Sequence, residues 1–186
     1  MAKNNKLKHL ADMTNELRQR MQKEGRAALA ESFSEFFSNH PEAKAIVWTQ
    51  CTPYFNDGDT CYFSVHDFEL KVDPAKMAED VRKVLGFKDD EDEDDEEEDY
   101  DEGCAATTLN YLRRTKDNRE SSWNPCLRAG VALRPLTTEE QALVKDFNEL
   151  DKACHEIEEV LEIVLGDHVR VTATRKGFDV AEFDHD

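Results

Sequence analysis

The run AIVWTQCTPYFNDGDTCYFSVHDFEL, residues 45–70, decides the fold class. Ala45–Cys51 is dense in β-branched and aromatic residues, the types that fit a pleated, half-buried surface. In the second part Cys61, Phe63 and Val65 alternate with Tyr62, Ser64 and His66, the period of two that defines a strand with one buried face. Between them stands Asn56-Asp57-Gly58, three residues that tolerate left-handed backbone. Two such runs around such a turn predict a β-hairpin. A turn centred near Asn56 would set Cys51 opposite Cys61, and the two read as a packed pair of thiols.

The far end of the chain repeats the pattern. Val169, Val171 and Ala173 alternate with Arg170, Thr172 and Thr174, and Lys176-Gly177 turns the chain into a last strand. Helical periodicity fills the remainder. A helix is predicted from Lys6 to Glu24 and another from Arg26 to Phe37, with Gly25 as the weak point between them. Asp73-Pro74 has the form of an N-cap followed by proline at the first helical position, and that helix ends at Gly86. A helix over Ala105–Arg114 is compatible with the sequence, in an otherwise irregular stretch from Gly103 to Pro135. The clearest helix runs from Glu139 to Leu165, opened by a capping box of Thr138 and Gln141 and closed by Gly166. The expectation is one α+β domain over residues 1–186, with a four-stranded antiparallel sheet of two hairpins packed against helices on one face.

The first segment, residues 1–24, carries Leu7, Leu10, Met13, Leu17 and Met21 at spacings of three and four. That stripe is narrow. It suits docking on a domain edge or, more specifically, the seam of a homodimer.

An acidic run interrupts this pattern. Asp89, Asp90, Glu91, Asp92, Glu93, Asp94, Asp95, Glu96, Glu97, Glu98, Asp99, Asp101 and Glu102 are broken only by Tyr100. The chain has 42 acidic and 24 basic residues and a net charge of −18, so this one insert holds most of the excess. Like charges this dense repel one another, and the run is expected to be a disordered, solvated insert. Its charge spacing argues against a simple DNA mimic. An extended chain offers one charge per about 3.3 Å, half the density of duplex DNA at about 1.7 Å, and repulsion opposes the helix that would match it. An acidic surface also makes direct nucleic-acid binding an unfavourable reading. A partner protein with a basic surface fits better.

The segments WTQCTPYFNDGDTCYFSVHDF and RVTATRKGFDVAEFDHD resemble the corresponding parts of a group of bacteriophage and bacterial proteins. The resemblance covers about the first 70 and last 20 residues. It implies a phage or bacterial cytoplasmic setting and an accessory role against a host or phage macromolecule, as in host takeover. It carries no activity and no catalytic residue.

The residues themselves mark no reaction. There is no GxSxG, no phosphate loop and no GxGxxG, and five cysteines without a CxxC pair read as reduced, buried thiols. No catalytic residue, cofactor or metal is therefore assigned. No export signal and no membrane-spanning run is seen, so a cytoplasmic protein without a membrane partner is expected. One enzymatic alternative stands: His66-Asp67 and Asp184-His185-Asp186 each join imidazole and carboxylate, and converging hairpin ends would make them a small metal site. The leading binding candidate is the turn of Tyr54, Phe55, Asn56, Asp57 and Asp59, which places two aromatic rings beside carboxylates. The bland reading of the same turn is loop chemistry, with its aromatics packed on a neighbouring helix.

Overall fold

The computed structural model describes residues 3–54, 60–86, 105–112 and 124–183. The elements, in chain order, are α1 (Lys3–Asn39), β1 (Ala43–Cys51), β2 (Ser64–Val72), a single 3₁₀ turn (Pro74–Lys76), α2 (Glu79–Leu85), α3 (Ala105–Leu112), α4 (Pro125–Arg128), α5 (Thr138–Glu156), α6 (Glu158–Leu165), β3 (Val169–Thr174) and β4 (Gly177–Glu182). The two hairpins join into one antiparallel sheet of order β2-β1-β3-β4, and the helices pack on it, an α+β domain. β1 is central because its composition suits burial on both sides: Ile46, Trp48 and Gln50 are fully buried, and Val47 and Thr49 nearly so.

The core lies between sheet and helices. Trp48 anchors it, with Phe33 of α1 stacked at 5.5 Å and Phe68 of β2 at 5.2 Å. Phe178 of β4 meets Phe33 edge-on at 5.1 Å, which ties α1 to the last strand. Leu70, Leu109, Leu112, Leu143 and Leu161 complete the buried interior from β2, α3, α5 and α6. Burying side chains of this size is worth about 1.5–3 kcal/mol each before chain entropy is counted.

Several expectations change. Gly25 does not divide the first helix: α1 is continuous over 37 residues, about 55 Å. The glycine lies against Val160 and Val164 of α6. Conversely, the long terminal helix is interrupted at Ile157, whose φ of −121° leaves the helical region, so α5 and α6 are separate. The break lets the Glu158 carboxylate accept from Val65 N–H at 3.0 Å and Ser64 Oγ at 3.2 Å. The capping box is present one residue earlier than read, as Thr137 and Glu140. Asp73 does cap, accepting from Ala75 N–H at 3.1 Å, but it caps the 3₁₀ turn, and α2 starts afresh at Glu79. Cys51 does not face Cys61. Its partner is Ser64, because β2 starts later than the alternation suggested; farther from the turn the register shifts between Val47 and Thr49. Asp67 sits in that shift with φ of +53°, a bulge in β2.

Among the described residues no helix is long and apolar enough to cross a membrane. The acidic run of residues 89–102 lies outside the described residues, as does the basic stretch from 113 to 123.

Candidate functional site

The end of the sheet where β1 leaves and β3 enters gathers the most distinctive side chains. Gln50 pairs with Val169, so the chain after β1 runs beside the Gly166-Asp167-His168 connection. Asp167 Oδ1 accepts from Thr52 N–H and from His168 N–H, each at 2.8 Å. Burial works against its ionisation, but these hydrogen bonds outweigh it and hold the carboxyl below its ordinary range. The same clasp accompanies a left-handed backbone at His168, φ +53°, uncommon for residues other than glycine. Tyr54 lies flat on the His168 ring, 4.6 Å between centroids and 13° between planes.

Tyr54 is nonetheless 69% exposed. It is a large ring, held in place from beneath and open above. Tyr62, from the returning arm of the same connection, is 75% exposed. The Tyr54 ring thus packs on a histidine of the β3 approach. Of the five residues read as a binding turn, Tyr54 is placed here. Phe55, Asn56, Asp57 and Asp59 lie outside the described residues. His168 was missed by the sequence reading. Only the Asp-His pair before the last hairpin could have signalled it.

Beneath this platform Cys51 is 5% exposed. Burial raises its thiol pKa, and the nearby carboxylates of Asp167 and Asp67 raise it further, so it is held as a neutral thiol and not as a nucleophile. Asp67 in turn accepts from Thr49 Oγ1 at 3.2 Å.

The metal reading fares differently at its two ends. His66 and Asp67 belong to β2, at one edge of the sheet, and β4 forms the other edge. Three strand spacings, about 14 Å, separate those edges. Asp184, His185 and Asp186 lie outside the described residues. Among the described residues no group of three or more His, Cys, Asp or Glu side chains is arranged to hold a metal ion.

A second surface is the first half of α1. Leu29, Phe33, Phe36 and Phe37 of its second half are buried on the domain, whereas Leu7, Leu10, Met13 and Leu17 are 51–68% exposed. At 100° per residue the exposed stripe is centred about 130° around the helix from the docked face. The four exposed residues are not docked on this domain's own edge, whereas Met21, the last of the stripe, is half-buried.

No family model, no curated protein sequence and no solved structure matches the chain.

Proposed function

We propose that the chain is a non-enzymatic accessory protein, of the phage type its hairpins resemble, that binds a host or phage macromolecule through the sheet end around Tyr54. The observation that carries this reading is the Tyr54–His168 stack, a ring both ordered and 69% exposed. An aromatic side chain fixed in advance loses little freedom on binding, which is why rigid tyrosines so often anchor interfaces. Phe55, Asn56, Asp57 and Asp59 in the same turn would add apolar area and acceptors. The acidic residues 89–102 would act at longer range, drawing in a protein with a basic surface and making association sensitive to salt.

Affinity capture from a bacterial lysate tests the reading, comparing the full chain, Tyr54→Ala and a variant lacking residues 89–102. Loss of a specific partner with Tyr54→Ala, at unchanged melting temperature, supports it. Weaker capture with a flatter salt dependence is expected for the deletion. The same proteins captured by all three at the same salt dependence would remove both surfaces from the mechanism.

A further inference from the structure

We propose that the first half of α1 is a dimer seam that pairs with the same segment of a second copy of the chain. Placed on a heptad, Leu7, Thr14 and Met21 take the a positions and Leu10 and Leu17 the d positions, the narrow two-residue stripe of a two-stranded coiled coil. A groove on a globular partner would call for a broader apolar face. A stripe this narrow is complementary to another of the same width, and every copy carries one.

Three observations make the second copy the fitting occupant. The first is the polar residue in the seam. Thr14 Oγ1 already donates to Leu10 O at 2.9 Å within the helix, so burying it leaves no hydroxyl without a partner. The second is the charge beside the seam. Aligned in parallel, Lys6 faces Ala11 of the other helix and Met13 faces Arg18, so each of these basic side chains meets a neutral one. Arg20 is tied to Glu24 of its own helix at 2.9 Å. The acidic Asp12 and Glu16 fall on the outer face. The third is area. The exposed fractions of Leu7, Leu10, Met13 and Leu17 amount to an apolar patch on the order of 400 Å² per arm, the size of the largest patch on a typical monomer, which is often a contact site. Two arms together supply on the order of 800 Å² before their flanking stems are counted, at the weak end of interfaces whose standard size starts at roughly 1,200 Å². The dimer is therefore a weak one that comes apart on dilution.

Sedimentation equilibrium of the full chain from micromolar to submillimolar concentration tests the proposal, beside Leu10→Glu/Leu17→Glu. Both leucines are exposed, so the variant keeps the domain, which its thermal unfolding checks. The expected result is a wild-type mass rising to twice 21.4 kDa and a variant fixed at one copy. A wild type that stays at one copy throughout overturns the proposal. So does a dimer that survives the double substitution, because its interface then lies elsewhere. A monomeric wild type that binds phosphatidylserine vesicles, with binding lost in the variant, overturns it in favour of a membrane surface. The readout is mass, so it does not depend on Tyr54 or on any captured partner.

Discussion

Gly25 of α1 lies directly against Val160 of α6: a Cβ on the glycine would come within 2.9 Å of Val160 Cγ1 and 3.1 Å of Val164 Cγ2. Helix propensity alone favours Gly25→Ala by about 1 kcal/mol. The contact opposes it, because Val160 is β-branched and cannot simply swing aside, and overpacking of this kind costs about 1–3 kcal/mol. The expected outcome is net destabilisation by about 1 kcal/mol, read as a lower urea midpoint at unchanged slope. Gly25→Ala combined with Val160→Ala should recover part of the loss. A Gly25→Ala variant more stable than wild type would mean that the helices separate without cost.

Arg134 is clamped between two acids on different elements. It donates to both carboxylate oxygens of Asp80, in α2, and to both of Glu140 at the start of α5, the latter pair at 2.7 Å each. The Arg134 hydrogen bond holds the Asp80 carboxyl below its ordinary 3.8. For Glu140, burial opposes ionisation, but hydrogen bonds from Arg134 and Thr137 outweigh it and lower the carboxyl from its ordinary 4.5. A carboxyl with a depressed pKa binds fewer protons in the folded state. Its stabilisation is complete above the unfolded value and is lost as pH falls through the folded one. Stability should therefore drop below about pH 4.5, and Arg134→Met should flatten that acid limb. At neutral pH the same variant leaves two partly buried carboxylates without their cation and should cost about 2 kcal/mol. Equal acid slopes in wild type and variant would show that other groups set the acid limit.

The sheet was legible because alternation is a local signal: the residues of all four strands announce themselves within a few positions. What was not legible depends on partners distant in sequence. Gly25 reads as a break until α6 is known to need the space. Ile157 reads as one more apolar residue of a continuous stripe until Glu158 is seen to reach Ser64 and Val65 of β2. Cys51 and Cys61 were matched by counting from the turn. The late start of β2, which puts Ser64 opposite Cys51, defeats that count. In the candidate site Tyr54 was visible as an aromatic in a turn. Its support, His168, comes from a residue more than one hundred positions away.

Thiol chemistry should follow burial. Burial, with the Asp151 carboxylate beside it, pushes the Cys154 thiol up to about 12, and burial, with a smaller push from Asp80, takes that of Cys126 up to about 11. With Cys51 also buried and raised, all three should resist iodoacetamide at pH 8 in the folded protein, whereas the half-exposed Cys61 should be modified. Peptide mapping by mass spectrometry reads this site by site. Rapid native labelling of Cys154, which is 1% exposed, would show that α5 opens far more readily than its packing implies.

Gln50 is the least expected residue in the core and the source of the sharpest stability test. It is fully buried in the central strand. Its Oε1 accepts from Trp48 Nε1–H at 3.0 Å, and its Nε2 donates to the carbonyl of Gly166 and, more distantly at 3.4 Å, to that of Leu161. One amide thus satisfies the indole of the core tryptophan and reaches the carbonyls of Leu161 in α6 and of Gly166 just after it. Gln50→Leu keeps the volume and adds apolar surface, so a reckoning by hydrophobicity alone would make it stabilising. Each group left unsatisfied costs about 1–3 kcal/mol, and the indole and the Gly166 carbonyl are both affected, so a loss of about 3 kcal/mol is expected. Gln50→Glu retains the acceptor for Trp48 but replaces the donor with a buried carboxylate facing carbonyls, and should be worse than leucine near neutral pH. Chemical denaturation followed by tryptophan fluorescence orders the three proteins. If Gln50→Leu matches or exceeds wild type, water must reach these groups and the amide is not what joins α6 to the sheet.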